Sequence, residues 1–229
     1  MIDEGISEVS ELLRDRVYQE LKADILAGLY GVGERLSVDE LAKKHKVSKT
    51  AVKEALTALQ KEELVQIIPR VGYFISQLTV KDIRDIFELR LIVEAASAEM
   101  AARNILDEEL RCLENMHGSY VSGDIDSYWQ YLQANREFHC RVALATRNKW
   151  LAEVVGRLLD QMQRLLFLRL DLRNSADEMV EEHRQLVAAL RKRDAPLARK
   201  LMVDAIENAR QAVLEAIMRG ATCPIQPST

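Results

Sequence analysis

Five lysines fall within eleven positions, Lys43, Lys44, Lys46, Lys49 and Lys53, with no acidic residue among them. Ammonium groups at that density can bind phosphate. Within the same stretch Ser48 stands just ahead of a helix-like apolar run, Val52, Ala55, Leu56 and Leu59. A serine there can cap the helix, whose free N–H groups and dipole also favour phosphate. Lys49 and Lys53 lie one turn apart on the exposed side, with Thr50 beside them. A second set of residues able to do chemistry recurs later at helical spacing: Arg90 with Glu94, Asn135 with His139, and His183. Each alone reads as a satisfied core residue or an i, i+4 ion pair. Gathered on inward stripes, they predict a polar cavity, because buried charge is costly unless it meets a partner or a ligand.

The elements that must position the lysines are legible around them. Leu13, Val17, Leu21 and Ile25, after Ser10, predict a first helix that stops at Gly28. Ser37, with Glu40 three residues on, is a capping box for a short second helix ending near His45, which abuts the turn within reach of a phosphate. After the lysine-bearing helix, residues 64–68 and 73–76 are rich in β-formers and flank a turn at 69–72. Two helices with a tight connection followed by a hairpin form a winged helix-turn-helix, whose later helix enters the major groove of DNA. Lys43, Ser48, Lys49, Thr50, Lys53, and Arg70 and Gly72 of the wing are therefore the expected contacts to a double-stranded operator.

Bulk properties bound the remainder. The 229 residues suffice for about two small domains. Formal net charge is −4, and residues 11–79 carry 11 basic and 10 acidic side chains, so any attraction for DNA must come from one face. No apolar run approaches a membrane span and the N-terminus is acidic, which predicts a cytoplasmic protein with no membrane partner. Cys112, Cys140 and Cys223 fit neither a disulfide framework nor a zinc spacing, and the first two read as core fillers. The first ten residues and residues 220–229 read as mobile ends.

From Thr79, a cap with Asp82 three residues on, the chain reads as six helices at about 80–103, 107–122, 127–146, 149–171, 176–192 and 195–218. The predicted fold is mainly α: a winged helix-turn-helix over 11–77, an all-α six-helix bundle over 79–219, and a tail. In the bundle, one stripe carries Ile83, Phe87, Arg90, Glu94, Ser97 and Ala101. A second carries Tyr128, Leu132, Asn135, His139 and Val142, and a third Met179, His183, Leu186 and Leu190. His117, near a helix end, reads as solvated.

Residues 12–76 resemble the N-terminal domain of GntR-type bacterial transcription regulators. The likeness runs through Gly33, Leu36, Leu41-Ala42, Val47-Ser48, Val52, Glu54-Ala55-Leu56, Leu64-Val65, Pro69 and Gly72. In that family arginines usually stand at the positions of Lys49 and Lys53, and a basic residue is common at that of Asp39, so the resemblance implies DNA binding at a different operator. The second half resembles the FCD effector domain of the FadR branch, nearest its six-helix VanR-type subgroup. The residues that carry this are Glu88-Leu89-Arg90 with Glu94, Asn135 followed by Phe138-His139, and Glu182-His183 leading to Ala188 and Leu190. It implies that a small organic acid in the bundle weakens DNA binding, while a two-fold operator, which needs two recognition helices about 34 Å apart, predicts a homodimer. Arg90, Glu94, Asn135, His139 and His183 would form the effector site.

The same resemblance implies a divalent metal, zinc, nickel or manganese, on Asn135, His139 and His183, with a fourth ligand position that falls at Ala205. Without metal, Arg90, His139 and His183 would hold the anion directly. Two other classes are weighed beside this one. A metal carrier or enzyme built on the bundle is disfavoured, since no pair of Glu-x-x-His motifs, nucleophile–base arrangement or phosphate-binding glycine loop occurs. A DNA-binding regulator with a vestigial pocket is suggested by Ala205.

Overall fold

The computed structural model describes residues 2–116, 124–167 and 175–218, and they divide into two compact units between Leu78 and Thr79. His117, Cys223, the 220–229 tail and the expected helix ends at 115–122 and 168–171 fall wholly or partly outside the described residues.

The first unit runs α1 (Ile2–Leu26), β1 (Arg35–Leu36), α2 (Val38–His45), α3 (Lys49–Lys61), β2 (Val65–Ile68) and β3 (Gly72–Ile75). Helix α1 extends back through Ser10 to Ile2, so the serine is interior to the helix rather than its start, and the expected mobile N-terminal decapeptide is largely helical. It ends where predicted. Gly28 takes φ 67°, and the Leu29 N–H reaches back to the Asp24 carbonyl, a termination that suits a residue without Cβ. Val17, Leu21 and Ile25 of α1 pack on Val52, Ala55, Leu56 and Leu59 of α3, all essentially buried. The Glu62 carboxylate, at the end of α3, accepts hydrogen bonds from Tyr18 and Lys22 of α1 and ties the same pair of helices.

The sheet is antiparallel in the order β1-β3-β2. The hairpin pairs Val65 with Ile75 and Ile68 with Gly72, and β1 adds Leu36 opposite Tyr73. Sequence reading misses β1, which is only two residues long and exists because β3 presents a free edge to it. The Arg35 guanidinium also donates to the Val71 carbonyl at 3.2 Å and so holds the wing turn.

The second unit contains six helices among the described residues: α4 (Val80–Asn104), α5 (Asp107–Glu114), α6 (Ile125–Leu144), α7 (Lys149–Phe167), α8 (Ser175–Arg191) and α9 (Ala195–Met218). Thr79 and Asp82 form the predicted reciprocal cap of α4, with the Thr79 N–H on the Asp82 carboxylate at 2.7 Å. Helix α4 is central: it lies longest against α9 and also touches α6, α7 and α8. Every residue of its predicted stripe, from Ile83 to Ala101, is buried. Phe87 and Phe138 are fully enclosed, each contributing on the order of 1.5–3 kcal/mol by leaving water. Cys140 is half-buried against Ala143, Val155 and Leu159, and burial pushes its thiol up to about 11.

Candidate functional site

Each unit carries one candidate site. In the first, the Ser48 hydroxyl accepts the Ala51 N–H at 3.2 Å and opens α3, the predicted cap. Burial of Ala51, Val52, Ala55 and Leu56 turns Ser48, Lys49, Thr50 and Lys53 outward, and all four are exposed. Lys43 is exposed in the last turn of α2, and Arg70, at φ 63°, is exposed at the wing turn beside Gly72.

Three features of this face were not predictable from spacing. The Lys49 ammonium pairs with Asp39 at 2.6 Å, so one of the expected phosphate or base contacts carries its own counter-ion. The Lys49 hydrogen bond and charge, then Lys43 and Lys53, hold the Asp39 carboxyl below its ordinary range, which puts all three lysines within electrostatic reach of one acid. Lys44 turns away, to Asp24 of α1 at 2.8 Å. His45 is not available to a phosphate: it is buried, with Nδ1 at 2.6 Å from Glu20 of α1, because the second helix seats its last turn on the first. Lys43 and Lys53 form no close ion pair among the described residues, Asp39 acting on them only at longer range.

In the second unit a cavity of about 120 Å³ lies between α4, α6, α7, α8 and α9. Arg90, Asn135, His139 and His183 line it, as does Ala205. Glu94 lies behind them: it is 1% exposed, takes the Arg90 Nε–H at 2.5 Å and approaches His139 Nδ1 at 2.7 Å. Burial alone would raise this carboxyl, yet the charges of Arg90 and His139 and their hydrogen bonds outweigh it and hold the group down at about 2. Glu94 therefore stays ionised, matches the Arg90 charge and fixes the His139 ring with Nε2 as its other nitrogen. His183 stacks on Phe138 with ring centroids 3.7 Å apart and meets the His139 ring edge-on at 5.4 Å. Ser97 bonds back to the Val93 carbonyl at 2.7 Å and takes no part.

Other polar residues complete the lining. Arg136 reaches the cavity while its Nε–H is held by Asp160 at 2.5 Å, and Glu182 accepts from Asn208 at 2.7 Å. Gln163 of α7 is 3% exposed, and neither its amide nitrogen nor its oxygen has a hydrogen-bond partner. The Asn135 carbonyl oxygen is likewise buried and unpartnered. Sequence reading misses Gln163. A glutamine in a helix reads as solvated, and the available signal was its i, i+4 spacing from Leu159 in a stretch that turns out to be buried through every position from Leu159 to Arg164.

The donors fit a resident metal only in part. The unpartnered Asn135 oxygen and a histidine backed by a carboxylate are features of metal sites. Against them stand a methyl group at Ala205, a neutral amide in place of a carboxylate, and two guanidiniums on the same wall. Among the described residues no three of His, Cys, Asp and Glu cluster as ligands. The set is incomplete without an outside ligand.

Comparison with known proteins places both units. Residues 13–75 match the model for bacterial regulatory proteins of the gntR family and residues 85–208 match the FCD domain. The chain is 28% identical over 215 residues to BphR of Paraburkholderia xenovorans, an uncharacterized HTH-type transcriptional regulator, covering 91% of this chain and 87% of that one. It is 28% identical over 221 residues to the Uxu operon regulator of Haemophilus influenzae, covering 87% and 81%. It is 22% identical to the HTH-type transcriptional repressor RspR of Escherichia coli, covering 88% and 89%. The solved structure of E. coli McbR/YncC shares the fold, with a TM-score of 0.76 at 22% identity over 90% of this chain and 98% of that one. A winged helix-turn-helix with an exposed lysine face, joined to a six-helix bundle with a central cavity, thus has the two domains of one group of regulators: the chain belongs to the GntR family of bacterial regulatory proteins, in the branch that carries an FCD domain.

Proposed function

We propose that the chain is a ligand-responsive transcription regulator, a cytoplasmic homodimer that binds a two-fold DNA operator through α3 and the wing and takes a small molecule into the bundle. The observation that carries the ligand half is the cavity itself: polar side chains from α4, α6, α7, α8 and α9 converge on a space otherwise walled by aliphatic side chains and methionine. Lys43, Ser48, Lys49, Thr50, Lys53, Arg70 and Gly72 form the proposed DNA surface. No described helix is long and apolar enough to cross a membrane, which accords with a protein that works at DNA.

The ligand acts by differential affinity. If it binds one arrangement of the dimer more tightly than the other, operator affinity must change by the same coupling factor. A small carboxylate, the effector that the family resemblance implies, needs a positive partner here. Arg90 is already matched by Glu94, so that partner would be a divalent cation on Asn135, His139 and His183, or a guanidinium released from its acid.

Replacing His139 by alanine tests the assignment. Operator binding of the ligand-free variant should match the parent in titrations at fixed salt, while release by a small-molecule extract of the source cells disappears. A variant that still responds removes the cavity from sensing. Elemental analysis of gently purified protein tests the metal: near-stoichiometric zinc, nickel or manganese that vanishes in His183→Ala would establish the three-donor site.

A further inference from the structure

The polar groups of the cavity are unequally supplied. Each guanidinium at the wall has a carboxylate, Arg90 with Glu94 and Arg136 with Asp160, and Glu182 adds one more acid, bonded to Asn208. Among the described residues neither guanidinium of the wall is left without a carboxylate. Glu94 Oε2 and His139 Nδ1 face each other at 2.7 Å, whereas both ends of the Gln163 amide and the Asn135 oxygen are buried without a partner. Exchanging oxygen and nitrogen at Gln163 would not change this, since neither atom has a partner. A buried donor or acceptor left unmade costs free energy, so an occupant that meets these groups is bound by them. The rest of the wall, including Leu132, Leu159, Met162, Ala205 and Ile206, is apolar. The volume is close to that of a cavity that holds a single six-membered ring, about 150 Å³.

Building on the effector reading above, we propose that the cavity recognises a small, uncharged molecule bearing a carboxamide or lactam group, its N–H and C=O answering the paired acceptor and donor of Gln163. Asn135 accepts a second N–H or O–H, and the apolar wall encloses the remainder. The absent fourth metal ligand belongs to the same design. Ala205 leaves room where a coordinating side chain would stand, and an uncharged ligand has no need of the cation.

The test uses the full chain, before and after dialysis against a chelator, with isobutyramide and 2-piperidone as probes and isobutyrate as the isosteric acid. Thermal unfolding and ligand-observed NMR should show the amides raising the melting temperature and binding about tenfold tighter than the acid, chelator or not. Gln163→Leu should abolish this preference. The free variant should melt no lower than the parent, since two unmet polar atoms are removed, and that shows it folds. Ala205→Leu, which fills the space without touching Gln163, should also block the amides. Tighter binding of isobutyrate, or an amide response that survives in both variants, overturns the inference, as does a null response to every probe. In these cases the cell-extract assay separates the two readings: an operator complex that the extract still dissociates keeps the effector reading, and one that it leaves intact ends both.

Discussion

At single residues, the face offered to DNA is defined as much by an acid as by its lysines. Asp39 neutralises Lys49 and sits within reach of Lys43 and Lys53, where the phosphate backbone would also approach. Asp39→Asn should tighten binding to all sequences and steepen the salt dependence by about one unit of log–log slope, because Lys49 is released to a phosphate. Lys53→Ala should weaken operator binding by about 1–3 kcal/mol if Lys53 reads a base. Filter binding across a salt series checks both, and an unchanged slope in Asp39→Asn would show that Lys49 stays away from DNA. Glu94 sets a pH signature in the bundle. Its carboxyl falls from an ordinary 4.5 to about 2, so between those values the unfolded chain binds more protons than the folded one. Its stabilisation, on the order of 3 kcal/mol, is complete above about pH 4.5 and is lost as pH falls through about 2. Urea midpoints measured from pH 7 to 3 should drop on the acid side, and Glu94→Gln should be less stable at pH 7 with a shallower acid decline.

Among the elements, α3 and α4 each depend on a cap at the N-terminus and a buried stripe behind it. Ser48→Ala removes the acceptor of the Ala51 N–H and should cost about 1 kcal/mol, with some loss of operator affinity because the same turn carries Lys49 and Thr50. Chemical denaturation of the variant measures the first effect, and a stability equal to the parent would show the cap to be replaced by water. In α4 the buried Arg90–Glu94 pair is costly to break and cheap to replace. Arg90→Met leaves an ionised Glu94 with His139 alone and should destabilise by roughly 3–5 kcal/mol, whereas Arg90→Met with Glu94→Leu should recover most of it. Equal losses in the single and double variants would deny the coupling.

For the whole molecule, a two-fold operator calls for two recognition helices about 34 Å apart, and one chain supplies one. The protein should sediment at twice the 26.1 kDa of its chain and bind a palindromic site more tightly than a half-site. A monomer with no such preference would overturn the dimer. The sequence by itself determined the two family domains, the six helices found among the described residues of the second and the inward stripes. Those signals are local: an apolar period, a cap such as Ser48 or Thr79, a helix stop at Gly28. Tertiary structure alone decided which polar groups met. The partners of Lys44, Lys49 and His45 lie on other helices at distances in sequence that no periodicity encodes. β1 exists only because β3 has an edge to offer. Gln163 reads as a solvated side chain until α4 and α6 pack against α7. Spacing specifies which face a residue occupies, whereas the packing of that face against others determines whether its hydrogen bonds are made, and so where a ligand is needed.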